Sequence, residues 1–130
     1  MLPCRLVCVL LFLVSFQASA AILTGKVVSV TDGDTVTVLD YSKTQHRIRL
    51  AGIDAPELQQ PFGRASRQHL ASLIAGLPVS VERQKRDRYG RIVGKVYQGT
   101  NDVSLSQVRA GMAWWFRKYA NEQSGDDRRL

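Results

Sequence analysis

Apolar and polar positions change rhythm along the chain. Residues 6–16 are almost unbroken apolar. From Ile22 onward the period is near two: ILTGKVVSV at 22–30 predicts a strand, TVTVLD from Thr35 a second, and Gln45–Gly52 a third. In the third, Ile48 and Leu50 share one face and Arg47 and Arg49 the other. Thr31-Asp32-Gly33 and Tyr41–Thr44 supply turn chemistry between these strands. Residues 63–75 shift to helical spacing, with Ala65, His69, Leu70, Leu73 and Ile74 in one stripe and Gly76 at the C-terminal stop. Val79–Arg83 and Ile92–Tyr97 predict two more strands around the polar turn QKRDRYG. Asp102 is placed to cap a second helix from about Ser104 to Ala110, ended by Gly111.

Five short strands with a helix inserted after the third predict an α+β fold, mainly β: a five-stranded closed barrel of the OB type with helices packed on it. The hairpin register follows from the faces. Setting Val38 opposite Ile48 and Val36 opposite Leu50 keeps all four apolar side chains together, and a slip of one residue would bury Arg49 against Val36. That pairing turns around Lys43 and sets Asp34 opposite Gly52, so Asp34 and Asp54 converge at one end of the hairpin. Strict alternation points Arg49 away from Val36, so a bulge or a bend at the barrel mouth is needed for Arg49 and Asp34 to share a site.

The opening apolar run is about half of the roughly 20 residues that span a bilayer. It follows a positive start at Met1–Arg5 and precedes the small-x-small pattern Ala18-Ser19-Ala20, which predicts a signal peptide over residues 1–20, cleaved between Ala20 and Ala21. The remainder, residues 21–130, is then expected to be secreted or periplasmic with no stable membrane anchor. Val7, not a small residue, precedes Cys8, which argues against a lipoprotein anchor. Both cysteines, Cys4 and Cys8, lie in this segment, so the cleaved chain offers no disulfide, thiolate ligand or thiol nucleophile.

At 130 residues the length allows one domain, and 45% hydrophobic with 22% charged residues excludes collagen-like, low-complexity and wholly disordered chains. The net charge is +7, and removing residues 1–20 takes away one charge, Arg5, to leave +6. A basic exported domain calls for an anionic partner: nucleic acid, phospholipid or an acidic polysaccharide.

Chemistry concentrates in Asp32-Gly33-Asp34-Thr35, in Arg49-Leu50-Ala51-Gly52-Ile53-Asp54-Ala55-Pro56-Glu57, and in Asp87-Arg88-Tyr89-Gly90-Arg91. Taken singly, the first reads as a turn, Pro56-Glu57 as a solvated loop, and Arg88 and Arg91 as a hairpin tip. No turn requirement demands all three in one chain. In their order and spacing, over roughly residues 22–119, they resemble the staphylococcal nuclease family.

The resemblance implies a calcium-dependent phosphodiesterase on an OB-fold, acting on DNA and RNA and leaving 3′-phosphate ends; the chain is expected to be a monomer. It implies that Asp34 and Asp54 are the Ca2+ carboxylates, with the main-chain carbonyl of Ala55 a further ligand. Glu57 takes the position that activates or orients the attacking water, and Arg49 and Arg91 those that bind phosphate. Arg88, Tyr89 and Tyr119 fall along the implied substrate groove. Calcium prefers six to eight oxygen ligands, so two carboxylates, a carbonyl and waters make an open site, and no His or Cys cluster competes for a transition metal. His46 and His69 are expected to be structural or surface residues, and Trp114, Trp115 and Phe116 core or edge packing.

Three features depart from the family pattern. Ala55 stands where the staphylococcal enzyme has threonine, the segment from Glu57 to the first helix is shorter, and the chain ends at Ser124–Leu130, about where a C-terminal helix is expected to begin. That helix is expected to be missing, which would expose apolar surface at Trp114 or Trp115. The same residues also fit a non-catalytic OB-fold binding module, or a truncated and poorly folded nuclease.

Overall fold

A computed structural model describes residues 21–116. The predicted signal peptide, Tyr119 and the expected site of the C-terminal helix lie outside the described residues.

The elements run β1 (Ile22–Asp32), β2 (Thr35–Asp40), β3 (Gln45–Leu50), β4 (Ile53–Asp54), α1 (Gly63–Ile74), β5 (Pro78–Arg86), β6 (Ile92–Gln98), β7 (Asn101–Asp102), α2 (Val103–Arg109) and β8 (Trp114–Trp115). One sheet follows the order β3-β2-β1-β5-β6-β7, and β3 also pairs with β6 in parallel through Ile48↔Ile92, Arg49↔Val93 and Leu50↔Gly94. That parallel pairing closes β1, β2, β3, β5 and β6 into the expected five-stranded barrel. β4 and β8 form a separate small sheet.

β1 pairs with β5 over its first half and with β2 over its second, and two register shifts, at Val27/Ser29 and Val30/Asp32, bend it between them. The core is filled by Val27, Val36, Val38, Ile48, Leu50, Val81, Ile92 and Val96 from the barrel strands, Ile53 from β4, Leu70 and Ile74 from α1, and Val103 from α2. Each such side chain contributes roughly 1.5–3 kcal/mol when fully buried. Ser66 joins Leu70 and Ile74 in the buried stripe of α1, and the expected members Ala65, His69 and Leu73 are only half-buried. Among the described residues no helix is long and apolar enough to cross a membrane.

The β2–β3 register differs from the sequence expectation by two residues. Val36 faces Ile48 and Val38 faces His46, so Asp34 lies beside Leu50, whose N–H donates to the Asp34 carbonyl at 2.8 Å. A slip of two preserves which face is apolar, so alternation could not reject it. The loop decides: the Asp40 carboxylate accepts from the N–H of Ser42 (2.8 Å) and Thr44 (3.0 Å), and Lys43 takes a left-handed φ of 65°. A tight loop of residues 41–43 results, closed by Asp40 N–H to the Thr44 carbonyl at 3.0 Å. β5 also runs farther than predicted, to Arg86, because Lys85 and Arg86 stay paired with Val93 and Ile92 past a register shift after Arg83.

Candidate active site

The site forms where β3 leaves the barrel. Leu50 ends the strand, and a turn at Ala51–Gly52, with Gly52 at φ 78°, folds the chain back so that Ile53 and Asp54 return over Arg49. This bend, rather than a bulge in β3, re-aims the groups. β8 holds the returned segment through Ile53↔Trp115 and Asp54↔Trp114, and Phe116 N–H donates to the Gly52 carbonyl at 2.9 Å.

Arg49 is fixed from two sides. Its Nη1 donates to the carbonyls of Leu50 (3.0 Å) and Ile53 (2.8 Å). Its Nη2 lies 3.4 Å from Asp34 Oδ2 and 3.3 Å from Asp54 Oδ1. Asp34 sits in the turn between β1 and β2, only 6% exposed. Its Oδ1 accepts from Thr35 Oγ1 (3.0 Å) and its Oδ2 from Ala55 N–H (2.9 Å), and its own N–H donates to Asp32 Oδ1 (3.1 Å). Asp34 and Asp54 thus converge as expected, with Arg49 between them, and Ala55 joins them through its N–H, which donates to both carboxylates.

Burial pushes the Asp34 carboxyl up to about 7; the Arg49 guanidinium opposes this, and the hydrogen bond and charge of neighbouring Asp32 reinforce it. One shared guanidinium is insufficient compensation for a buried carboxylate with two acidic neighbours. The local chemistry therefore suits a hard divalent cation: the donors are oxygens, and Asp54 Oδ2 receives no hydrogen bond among the described residues. The protein does not form a full cage, since among the described residues no three His, Cys, Asp or Glu side chains cluster closely enough to hold a metal by themselves. Water and substrate oxygens would supply the other ligands.

The remaining predicted residues make no hydrogen bond or ion pair with this cluster among the described residues. Glu57 is exposed on the same outgoing segment, in a turn where its N–H donates to Gln60 Oε1 (2.8 Å), and its carboxylate makes no hydrogen bond or ion pair among the described residues. Arg91 precedes β6; with Ile92 beside Ile48, it stands level with Arg47 rather than Arg49. Its Nε donates to Asp87 Oδ2 at 2.6 Å. Partial burial raises the Asp87 carboxyl, but hydrogen bonds from the Arg91 N–H and guanidinium and the Tyr89 N–H outweigh it and hold Asp87 below the usual carboxylate range. At the hairpin tip, the Arg88 and Arg91 guanidinium carbons lie 5.0 and 5.4 Å from the Tyr89 ring centroid.

Sequence reasoning missed the residues that hold Asp34 in place. Gln107, fully buried in α2, donates from Nε2 to the carbonyls of Gly33 (2.8 Å) and Ser66 (3.2 Å), and its Oε1 meets His69 Nδ1. Ser66 Oγ donates to the Met112 carbonyl at 2.6 Å. A Cβ on Gly33 would fall 1.8 Å from Ser66 Oγ, so only glycine lets the Asp34 turn approach α1 this closely. Ser66 was detectable as a small residue four positions before Leu70; a lone glutamine in a helix carries no such signal. His46 and His69 are structural as expected, His46 pairing with Asp40 Oδ2 at 2.7 Å. Trp115 packs on the core and Trp114 forms its exposed edge.

The profile of the family described as staphylococcal nuclease homologue matches residues 47–130. An uncharacterized endonuclease of Escherichia coli is 49% identical over 111 residues, covering 84% of this chain and 71% of the relative. One from Haemophilus influenzae is 37% identical, covering 87% of this chain and 64% of its own length. A micrococcal nuclease of Shigella flexneri is 45% identical over 105 residues, 73% of this chain and 59% of that protein. The barrel, the acidic turn facing Arg49 and these matches lead to one assignment: the chain belongs to the staphylococcal nuclease family.

Proposed function

We propose that this chain is an exported nuclease that hydrolyses phosphodiester bonds in DNA and RNA, with Ca2+ held by Asp34, Asp54 and the carbonyl of Ala55. The observation that carries this reading is the pair of carboxylates, one buried, set 3.4 and 3.3 Å from a single nitrogen of Arg49. When bound, the cation supplies charge neutralisation and polarises a phosphate oxygen.

The protein's own groups do the rest. Arg49, locked by two backbone carbonyls, presents donors to a non-bridging phosphate oxygen where charge grows during attack; one such preorganised donor is worth about 3 kcal/mol of barrier. Glu57, exposed and with no ion pair among the described residues, takes a proton from the attacking water as the water oxygen bonds to phosphorus; the bond from phosphorus to the 5′-oxygen breaks and that oxygen takes a proton from solvent, leaving a 3′-phosphate and a 5′-hydroxyl. Arg91 reaches the phosphate by exchanging its Asp87 contact. Arg88, Tyr89 and Tyr119 border the substrate. Export rests on the pattern of residues 1–20, and the mass of the chain recovered from periplasm or medium should correspond to a start at Ala21.

The test is release of acid-soluble nucleotides by the purified chain. Activity should require calcium and vanish with chelator, and Glu57→Gln should lower turnover by about 10²–10⁴ while nucleic acid is still bound. A folded chain that releases nothing with calcium, or a Glu57→Gln variant as active as the parent, would overturn the proposal.

A further inference from the structure

We propose that the groove between α1 and the turn after Glu57 is a second phosphate track, in which Arg64 and Arg67 hold the nucleic-acid strand beyond the scissile bond. This deepens, and rests on, the nuclease reading above.

The groove has a volume of about 640 Å³ and is walled by Leu58 and Gln59 on one side and by Arg64, Arg67, Gln68 and Ala71 on the other. The helical residues recur at i, i+3, i+4 and i+7, so they form one face of α1, distinct from the Ser66, Leu70 and Ile74 stripe turned to the core. Every ionisable side chain on the walls is an arginine.

Each wall is joined through the chain to a segment that leads into the acidic site. Leu58 directly follows Glu57, whose carbonyl accepts from Gln60 N–H (2.9 Å), and Gly63 N–H donates to the Gln60 carbonyl (3.0 Å), tying the turn to the start of α1. Opposite, Arg67 Nε donates to the Val30 carbonyl at 3.0 Å, which fixes its guanidinium beside the end of β1, two residues before Asp32 and four before Asp34. The terminal nitrogens of Arg67, and Arg64 altogether, make no other hydrogen bond or ion pair among the described residues.

Two guanidinium groups with open donors, neither in an ion pair among the described residues, match the non-bridging oxygens of successive phosphates, and the amides of Gln59 and Gln68 match sugar and phosphate oxygens without selecting a base. A strand cut at the Asp34–Asp54 site and held in this groove must extend past the scissile bond.

Fluorescence anisotropy of the full chain with a labelled single-stranded oligonucleotide of about 12 nucleotides, and with a labelled dinucleotide, over a series of salt concentrations tests this. Arg64→Ala is the decisive variant, because Arg64 is exposed and makes no hydrogen bond or ion pair among the described residues. Its 12-mer Kd should rise several-fold and the slope of log affinity against log salt should shrink by about 0.7, the share of one phosphate on a single strand. Dinucleotide affinity should stay as in the parent. Adding Arg67→Ala should roughly double the change in slope, with thermal unfolding run alongside to register loss of the Val30 contact. An unchanged 12-mer slope for Arg64→Ala, or equal weakening of both ligands, overturns the groove while parental cleavage leaves the nuclease reading standing. A parent chain that neither binds nor cleaves the 12-mer overturns both.

Discussion

Asp34 is the residue whose environment most exceeds its sequence. In the chain it is one of two acids in a turn; in the fold it is a buried carboxyl with its pKa near 7, opposed by one shared guanidinium. The folded form holds this proton more tightly than the unfolded chain, whose value is near 3.8. Between those two values the native state binds more protons, so the Asp34 contribution to stability is complete at the acid end and declines as pH rises toward 7. Asp34→Asn keeps the neutral shape and removes the titration. In metal-free solution, parent and variant should unfold alike at about pH 3, below both values, and the parent should become the less stable by roughly 2–4 kcal/mol at about pH 8. Denaturant unfolding at both pH values measures this, and a stability difference that ignores pH would refute it. Calcium should recover the parent at the higher pH and leave Asp34→Asn little changed.

At the scale of elements, local signals were read well where the chain punctuates itself. Asp102 accepts from Leu105 N–H at 3.3 Å as the N-cap of α2, and Gly76 and Gly111 sit in the left-handed region past the two helices, as the sequence indicated. Asp102 also pairs with Lys95 at 3.1 Å, and substitution separates the two roles. Asp102→Ala should lose about 1 kcal/mol, and Asp102→Ser, which restores a cap oxygen without the charge, should regain most of it. Equal melting temperatures for the two variants would assign the stability to the ion pair instead. The hairpin register was less legible. Alternation fixes a face but is blind to a shift of two, and the deciding contacts, Asp40 to the N–H of Ser42 and Thr44, are turn geometry rather than hydrophobic pattern.

Across the whole molecule, the site depends on contacts that join distant parts of the chain. Gln107 ties α2 to the Asp34 turn and to Ser66 in α1, reaching a carbonyl 74 residues away. Gln107→Leu would leave the buried carbonyl of Gly33 without its Gln107 donor and take a second donor from Ser66, costing about 2–4 kcal/mol and loosening the seat of Asp34. Denaturant unfolding with and without calcium should show both a lower midpoint and a smaller calcium-induced rise than in the parent. An intact calcium effect would confine Gln107 to a stability role.

The sequence by itself determined the barrel, the two helices, the acidic and basic residue types and their order, because periodicity, caps and turn residues are local properties carried by neighbouring side chains. Only the tertiary structure decided which of them meet. The bend at Gly52 laid Asp54 beside Asp34 around Arg49, and it left Arg91 with Asp87 and Glu57 in its own turn. Burial gave Asp34 its raised pKa, and Gln107 and Ser66 acquired their roles by enclosure. Burial and long-range hydrogen bonding belong to the packed chain, and no stretch of sequence contains them.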